Sequence, residues 1–130
     1  MTERICVIAK PDAVKRGLVG VIITRFEQRG YLIKNMKYVS ASRDLIEQHY
    51  AEHKGKPFYD RLVRFMTDDI VVMELEGNMQ VARQIVGATV PGDSQFGSIR
   101  GDLANDISHN LVHCSDSIEN ARRELTIWFQ

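Results

Sequence analysis

The 130-residue sequence predicts an α/β or α+β sandwich, with helices covering one face of a small sheet. Three observations lead there. Short apolar runs bounded by Gly, Pro or Asp recur along the chain and have the character of strands. Between them, apolar residues return at three- and four-residue intervals, the period of a helix face. The two patterns alternate from end to end with no repeat, low-complexity tract or linker, so residues 1–130 read as one domain.

Ile5-Cys6-Val7-Ile8-Ala9 is a continuous apolar run ended by Lys10-Pro11-Asp12, the pattern of a buried central strand. After Gly17, Val19, Ile22, Ile23 and Phe26 share one helical face, and Gly30 stands where a helix C-cap belongs. Residues 31–39 alternate imperfectly and form a second strand. Ser42 and Asp44 can start a helix carrying Leu45, Ile46, His49 and Tyr50, which ends before Gly55-Lys56-Pro57. A short helix over 58–66 would place Phe58, Leu62 and Phe65 or Met66 on one side. Residues 70–75 give a third strand, and Asn78 caps a helix that runs to Val86 and is closed by Gly87. Residues 88–101, rich in Thr, Pro, Gly, Ser, Gln and Asp, form a long loop of the kind compact domains keep for function. Residues 111–114 make a short fourth strand. Asp116 and Glu119 then offer a capping-box start to a last helix, with Ile118, Ala121, Leu125 and Trp128 as its apolar stripe.

The 17 Lys and Arg balance 17 Asp and Glu, so no global field recruits nucleic acid or an anionic membrane. Any polyanion has to be met by a local cluster. Cys6 and Cys114 lack a framework spacing and read as free thiols in a reducing compartment. The sequence enters strand-like residues without a cationic leader and holds no apolar run of membrane-spanning length. A soluble cytoplasmic protein is the expectation.

His113 ends an apolar run and is followed by residues that punctuate a helix start. A histidine there can project into a cleft while the strand fixes its backbone, and a partner on one ring nitrogen leaves the other free to attack. Glu124 falls at the edge of the last helix's apolar stripe, where a carboxylate needs a partner. Accepting the N–H of His113 would supply one and fix the tautomer. No Gly-x-x-x-x-Gly-Lys-Ser/Thr or Gly-x-Gly-x-x-Gly loop is present, so the usual backbone cradles for phosphate are missing. Cations stand at element ends instead: Lys10, Arg83 and Arg100. His49 and His53 are one helical turn apart, a zinc-binding spacing, but no third ligand accompanies them.

From Asn110 to Ser117 the sequence resembles the active-site signature of nucleoside diphosphate kinases, Asn-x-x-His-[Gly/Ala]-Ser-Asp. Lys10-Pro11-Asp12, Arg16-Gly17-Leu18-Val19-Gly20, His49-Tyr50, Pro57-Phe58, Gly97-x-Ile99-Arg100-Gly101-Asp102 and Trp128-Phe129 also resemble motifs of that family, in family order. The resemblance covers essentially the whole chain. It implies a ferredoxin-like sandwich, a four-stranded antiparallel sheet covered by helices, assembled as a homo-oligomer (tetramer or hexamer). It implies Mg²⁺-dependent, ping-pong transfer of a γ-phosphoryl group from a nucleoside triphosphate to a nucleoside diphosphate. His113 would be the nucleophile, through Nδ1, with Glu124 holding the other nitrogen and Ser115 assisting. Lys10, Tyr50, Arg83, Thr89 and Arg100 would meet or approach phosphates, and Asn110 with Lys10 the ribose hydroxyls. Phe58 would stack on the base, with Leu62 and Ile107 lining the same slot; Mg²⁺ would be held mainly through the nucleotide's own phosphates.

Phosphoryl transfer spreads charge over oxygens in a loose transition state, so positioned cations can replace a phosphate-binding loop. A base held by stacking gives broad base tolerance, because every base has a π-face. The sequence departs from the family at Val90, Phe96, Ser98 and Cys114, where Asn, Pro, Thr and Gly or Ala are usual, and the segment 66–83 is shortened. These departures predict altered nucleotide preference or modest activity, with the catalytic set intact. The rival reading is a silent nucleotide- or single-strand-binding module on the same scaffold. His113 together with Glu124, Lys10 and Arg100 separates the two, since binding alone needs no nucleophile.

Overall fold

The computed structural model describes residues 2–130. Four strands, β1 (Glu3–Ala9), β2 (Leu32–Ser40), β3 (Asp69–Gly77) and β4 (Val112–Cys114), form one antiparallel sheet in the order β2-β3-β1-β4. Seven helices join them: α1 (Pro11–Lys15), α2 (Val19–Gln28), α3 (Arg43–His49), α4 (Tyr59–Met66), α5 (Met79–Val86), α6 (Ile99–Leu103) and α7 (Ile118–Phe129). This is the ferredoxin-like sandwich the family resemblance implies. Among the described residues no helix is long and apolar enough to cross a membrane.

Helices cover both faces of the sheet, where the residue pattern alone suggested one. The reason lies in β1, whose Ile5, Val7 and Ala9 point one way and Cys6 and Ile8 the other, all fully buried. Each such Ile or Val is worth about 1.5–3 kcal/mol when removed from water, so neither face can stay wet. The first face packs on α2 and α5 through Ile22, Phe26, Ala82, Ile85 and Val86. The second packs on α3, α4 and α7 through Ile46, Tyr59, Val63, Met66 and Trp128. His113 pairs with Ile8 across β1 and β4 and so belongs to the second face.

Several boundaries differ from the sequence expectation. Pro11 does not merely end β1; it opens α1 at a position where its missing N–H costs nothing. In α4 the buried residues are Tyr59, Val63 and Met66, while Phe58 is 46% exposed, so the Phe58–Leu62 side turns outward. The cap of α7 is Ser117, accepting from Asn120 N, while Asp116 takes the Asn120 side chain instead. Ile118 is exposed, and the buried stripe of α7 is Ala121, Glu124 and Trp128. The long loop carries a 3-10 turn at Pro91–Asp93 before Ser98 caps α6. Gly87 closes α5 at φ 96°, and a Cβ there would lie 2.6 Å from Ser98 Oγ, so loop and helix end meet only through a glycine.

Candidate active site

The site forms where the C-terminal end of β1 meets the start of β4. Lys10 N donates to the Leu111 carbonyl at 2.9 Å, and Val112 N reaches back to the Asn110 carbonyl at 2.9 Å. Leu111 lies between them at φ 76°, the one non-glycine residue with positive φ among those described. Together these define a γ-turn of the strained kind, which persists only where its surroundings hold it. Asp12 supplies one restraint, its Oδ2 accepting from Leu111 N at 3.0 Å. Arg100 supplies the other, donating to the carbonyls of Asn110 (3.3 Å), Gly87 (3.0 Å) and Val112 (2.6 Å). The turn throws Asn110 toward Lys10 and sets His113 two residues further along an edge strand.

His113 keeps 18% of its side chain exposed and has its Nε2 3.0 Å from Glu124 Oε1. The Ser115 hydroxyl accepts from Cys6 N at 3.1 Å and has two acceptors in reach, Glu124 Oε1 at 2.7 Å and the Cys6 carbonyl at 3.2 Å; the shorter, charged one takes its single proton. Burial pushes the Glu124 carboxyl up, but His113, His49 and Ser115 outweigh it and hold the group below the ordinary carboxylate range. An ionised Glu124 can only accept, so His113 carries its proton on Nε2 and offers the Nδ1 lone pair outward.

Lys10 Nζ donates to Asn110 Oδ1 at 2.9 Å, and Asn110 Nδ2 donates to the Thr89 carbonyl at 3.2 Å. Burial, then the nearby Arg100, lowers the Lys10 ammonium to about 8, with Asp12 pulling the other way. Arg100 is lowered to about 10, by burial and then by Arg83. Arg83 sits on the outer side of α5 and donates to the Cys114 carbonyl at 3.0 Å, beside His113. Tyr50 stands 6.4 Å from His113 between ring centroids, its buried hydroxyl without a partner and raised in pKa by burial and by Glu124. Lys10, Arg83 and Arg100 therefore converge on His113, with the carboxylates of Asp12, Asp116 and Glu124 tied to Leu111 N, to Asn120 and to His113 with Ser115. A polyanion is the complementary ligand.

Phe58 contacts His53 at 5.3 Å between centroids, and Phe65 meets His109 at 4.9 Å. The second contact brings the 104–110 segment, with Ile107 56% exposed, against α4. Phe58 and Leu62, at the start and middle of α4, and Ile107, in the segment packed on α4, thus lie on neighbouring elements. Two surface grooves, of about 310 and 520 Å³, lie elsewhere and include none of these residues.

The structure separates His49 from His53. His49 is buried against His113, with centroids 4.6 Å apart, while His53 lies outside over Tyr50. Asp12, Trp128 and Arg123 also surround the site, where residue patterns gave Trp128 only a core position and His49 only a zinc-ligand spacing. The motifs Lys10-Pro11-Asp12, His49-Tyr50 and Trp128-Phe129 were the signal. Of the departures, Ser98 caps α6 as a Thr could, and Cys114 is buried with its thiol pushed up to about 12 by burial. Val90 and Phe96 are exposed, Phe96 almost completely.

Comparison with known proteins agrees with this geometry. A model of the family described as nucleoside diphosphate kinase matches residues 3–130. A nucleoside diphosphate kinase of Schizosaccharomyces pombe is 51% identical over 132 residues, covering 99% of this chain and 87% of its own. One of Thermosynechococcus vestitus is 50% identical over 131 residues, covering 98% and 87%. The structure of a halophilic nucleoside diphosphate kinase from Halobacterium salinarum in complex with CDP superposes with a TM-score of 0.95 at 41% identity, covering 100% of this chain and 89% of that one. With fold, motifs and near full-length relatives in agreement, the chain belongs to the nucleoside diphosphate kinase family and is a phosphotransferase moving the γ-phosphoryl group from a nucleoside triphosphate to a nucleoside diphosphate.

Proposed function

We propose that transfer is ping-pong, through a phosphohistidine on His113 Nδ1, carried out by the single domain of residues 1–130. The observation that supports this is the His113 Nε2 to Glu124 Oε1 contact of 3.0 Å, which leaves Nδ1 as the free nucleophile. In the first half-reaction the Nδ1 lone pair attacks the γ-phosphorus. The bond from that phosphorus to the bridging oxygen breaks, and the diphosphate leaves with the electron pair. Nε2–H stays directed at Glu124, whose charge offsets the positive ring. In the second half-reaction another diphosphate takes the phosphoryl group by the reverse path.

Lys10 has two N–H donors beyond the one given to Asn110, and these meet phosphate and ribose oxygens. Asn110 keeps one donor and one lone pair for the ribose hydroxyls. Arg83, Arg100, Tyr50 and Thr89 complete the phosphate side, and Ser115 acts through Glu124. Phe58 stacks on the base with Leu62 and Ile107 beside it, in keeping with broad base acceptance. The divalent ion is Mg²⁺. The three-residue cluster of potential ligands found among the described residues, His49 with His113 and Glu124, is nitrogen-rich and suits this oxygen-seeking ion poorly. Mg²⁺ is therefore carried mainly by the nucleotide phosphates, whose charge it neutralises. The working enzyme is a cytoplasmic homo-oligomer, tetramer or hexamer.

Incubation with γ-labelled ATP and Mg²⁺, with His113→Ala in parallel, tests the reading. Acid-labile label that requires His113 and is discharged by a second nucleoside diphosphate is the expected result. A folded, nucleotide-binding protein that takes no label would overturn it.

A further inference from the structure

His49 is buried in the site yet has no part in the chemistry described so far. Its Nδ1 accepts the Trp128 indole N–H at 3.0 Å. An indole nitrogen can only donate, so Nδ1 must be bare and the neutral ring carries its proton on Nε2. That Nε2 has no hydrogen-bond partner and points at Glu124 Oε2, 3.9 Å away. An unpaired buried donor is costly, and 3.9 Å is a gap that a small swing of the carboxylate closes. His49, His113 and Glu124 are also close enough to share a metal ion. The indole speaks against that use, because a metal on Nε2 would leave His49 a bare imidazolate.

While Glu124 is ionised, the polar groups around it can only donate to it. His113 and Ser115 give to Oε1. His49 from α3 and Arg123 from α7 face Oε2, each at 3.9 Å, and Arg123 also holds the His49 carbonyl at 3.1 Å. Cys6 from β1, with its thiol pushed up, and the neutral Tyr50 add no competing charge. A proton on Glu124 Oε2 would meet the Nε2–H of His49, donor against donor. A protonated Glu124 could also give its proton to His113 Nε2, moving the histidine's own proton to Nδ1 and removing the nucleophile.

We propose that His49 is a positioning residue: its tautomer set by Trp128, it presents a permanent N–H to Glu124 Oε2 and so keeps the His113 Nδ1 lone pair available for attack. The polarity starts at an indole that can only donate and ends at a nitrogen that can only accept. This rests on the phosphohistidine reading above.

The test is single-turnover phosphorylation by labelled ATP and Mg²⁺ from mildly acid to alkaline pH, in wild type, His49→Phe, His49→Gln and Trp128→Phe. His49→Phe keeps a flat ring without the donor. It should slow phosphorylation by about tenfold or more, leave nucleotide affinity unchanged, and move the acid limb of the profile to higher pH. His49→Gln, with an amide N–H near the position of Nε2, should restore most of the rate. Trp128→Phe frees the tautomer and should show part of the loss with the same limb shift. A folded His49→Phe protein with wild-type rate and limb overturns the proposal. So does equal impairment of the Phe and Gln variants with an unmoved limb, which marks a packing role. If His49→Phe fails to fold, an unmoved limb in Trp128→Phe overturns it. Nitrogen NMR of the wild-type imidazoles separates this proposal from the reading beneath it. His49 protonated on Nε2 is expected, and protonation on Nδ1 refutes the proposal; absence of label on wild type refutes the phosphohistidine instead.

Discussion

Replacing Lys10 by Met removes a charge that the fold carries at a cost. Burial and Arg100 take its ammonium from 10.5 to about 8, so the folded chain binds this proton less tightly than the unfolded one. A group depressed in this way penalises folding while it is charged. The penalty is full below about pH 8, shrinks as pH climbs toward 10.5, and is gone above that. At pH 7 it amounts to about 3 kcal/mol, and between pH 7 and 10 the native state recovers most of it. Met fills the same space without the proton. Guanidinium denaturation of wild type and Lys10→Met at pH 7 and pH 10 reads the effect as a double difference, in which groups common to both proteins cancel. Wild type should gain on the variant by about 2–3 kcal/mol across that interval. The lost bond to Asn110 changes the offset between the curves and leaves their divergence intact. Parallel curves would refute the argument and mean that Lys10 is solvated as an ordinary surface lysine.

Because bound phosphates favour the charged lysine, nucleotide binding near pH 9 should take up a proton, seen as a dependence of calorimetric heat on buffer ionisation enthalpy; equal heats in all buffers would contradict it. Asp12→Ala leaves the Leu111 N–H without its acceptor and should cost about 2–3 kcal/mol in denaturant melts, with Asp12→Asn, which keeps an acceptor, costing less. Ser115→Ala strands the Cys6 N–H and should cost about 1–3 kcal/mol and slow labelling of His113; a fully stable variant would mean water replaces the hydroxyl. Phe58→Ala removes a half-exposed ring and should leave stability nearly unchanged while weakening all nucleotides by about 1–3 kcal/mol. Equilibrium titration with purine and pyrimidine diphosphates checks this, and a loss confined to one base would argue against simple stacking.

How much of this could be read from sequence differed by element. The strands and the amphipathic helices α2, α3 and α5 were legible because their caps, Ser42, Asn78 and Gly30, act within a few residues of chain. His113 with Glu124 was legible because one helical turn and one strand end suffice to place both. The buried face of α4 was not, since Phe58, Leu62 and Phe65 form as good a stripe as Tyr59, Val63 and Met66 and only the tertiary neighbours choose. The γ-turn was hidden because it depends on Asp12, some hundred residues away in sequence, and nothing in Leu111 itself calls for positive φ. His49 was considered as a possible zinc ligand because helical spacing sees His53 and cannot see Trp128.

The strand that presents His113 is only three residues long, and its alternation decides the chemistry. Val112 and Cys114 face the α2–α5 core while His113 faces α3 and α7. A slip of one position would exchange them, turning a thiol toward Glu124 and hiding the imidazole in the opposite core. A three-residue edge strand has little ladder of its own to resist such a slip. The resistance comes from the clamp just before it, where Asp12 and Arg100 pin the turn at Leu111. Length changes in the preceding loop can be absorbed upstream of Asn110. Between Leu111 and His113 even one deleted residue would invert the parity, leaving a folded sandwich with Cys114 in the place of His113.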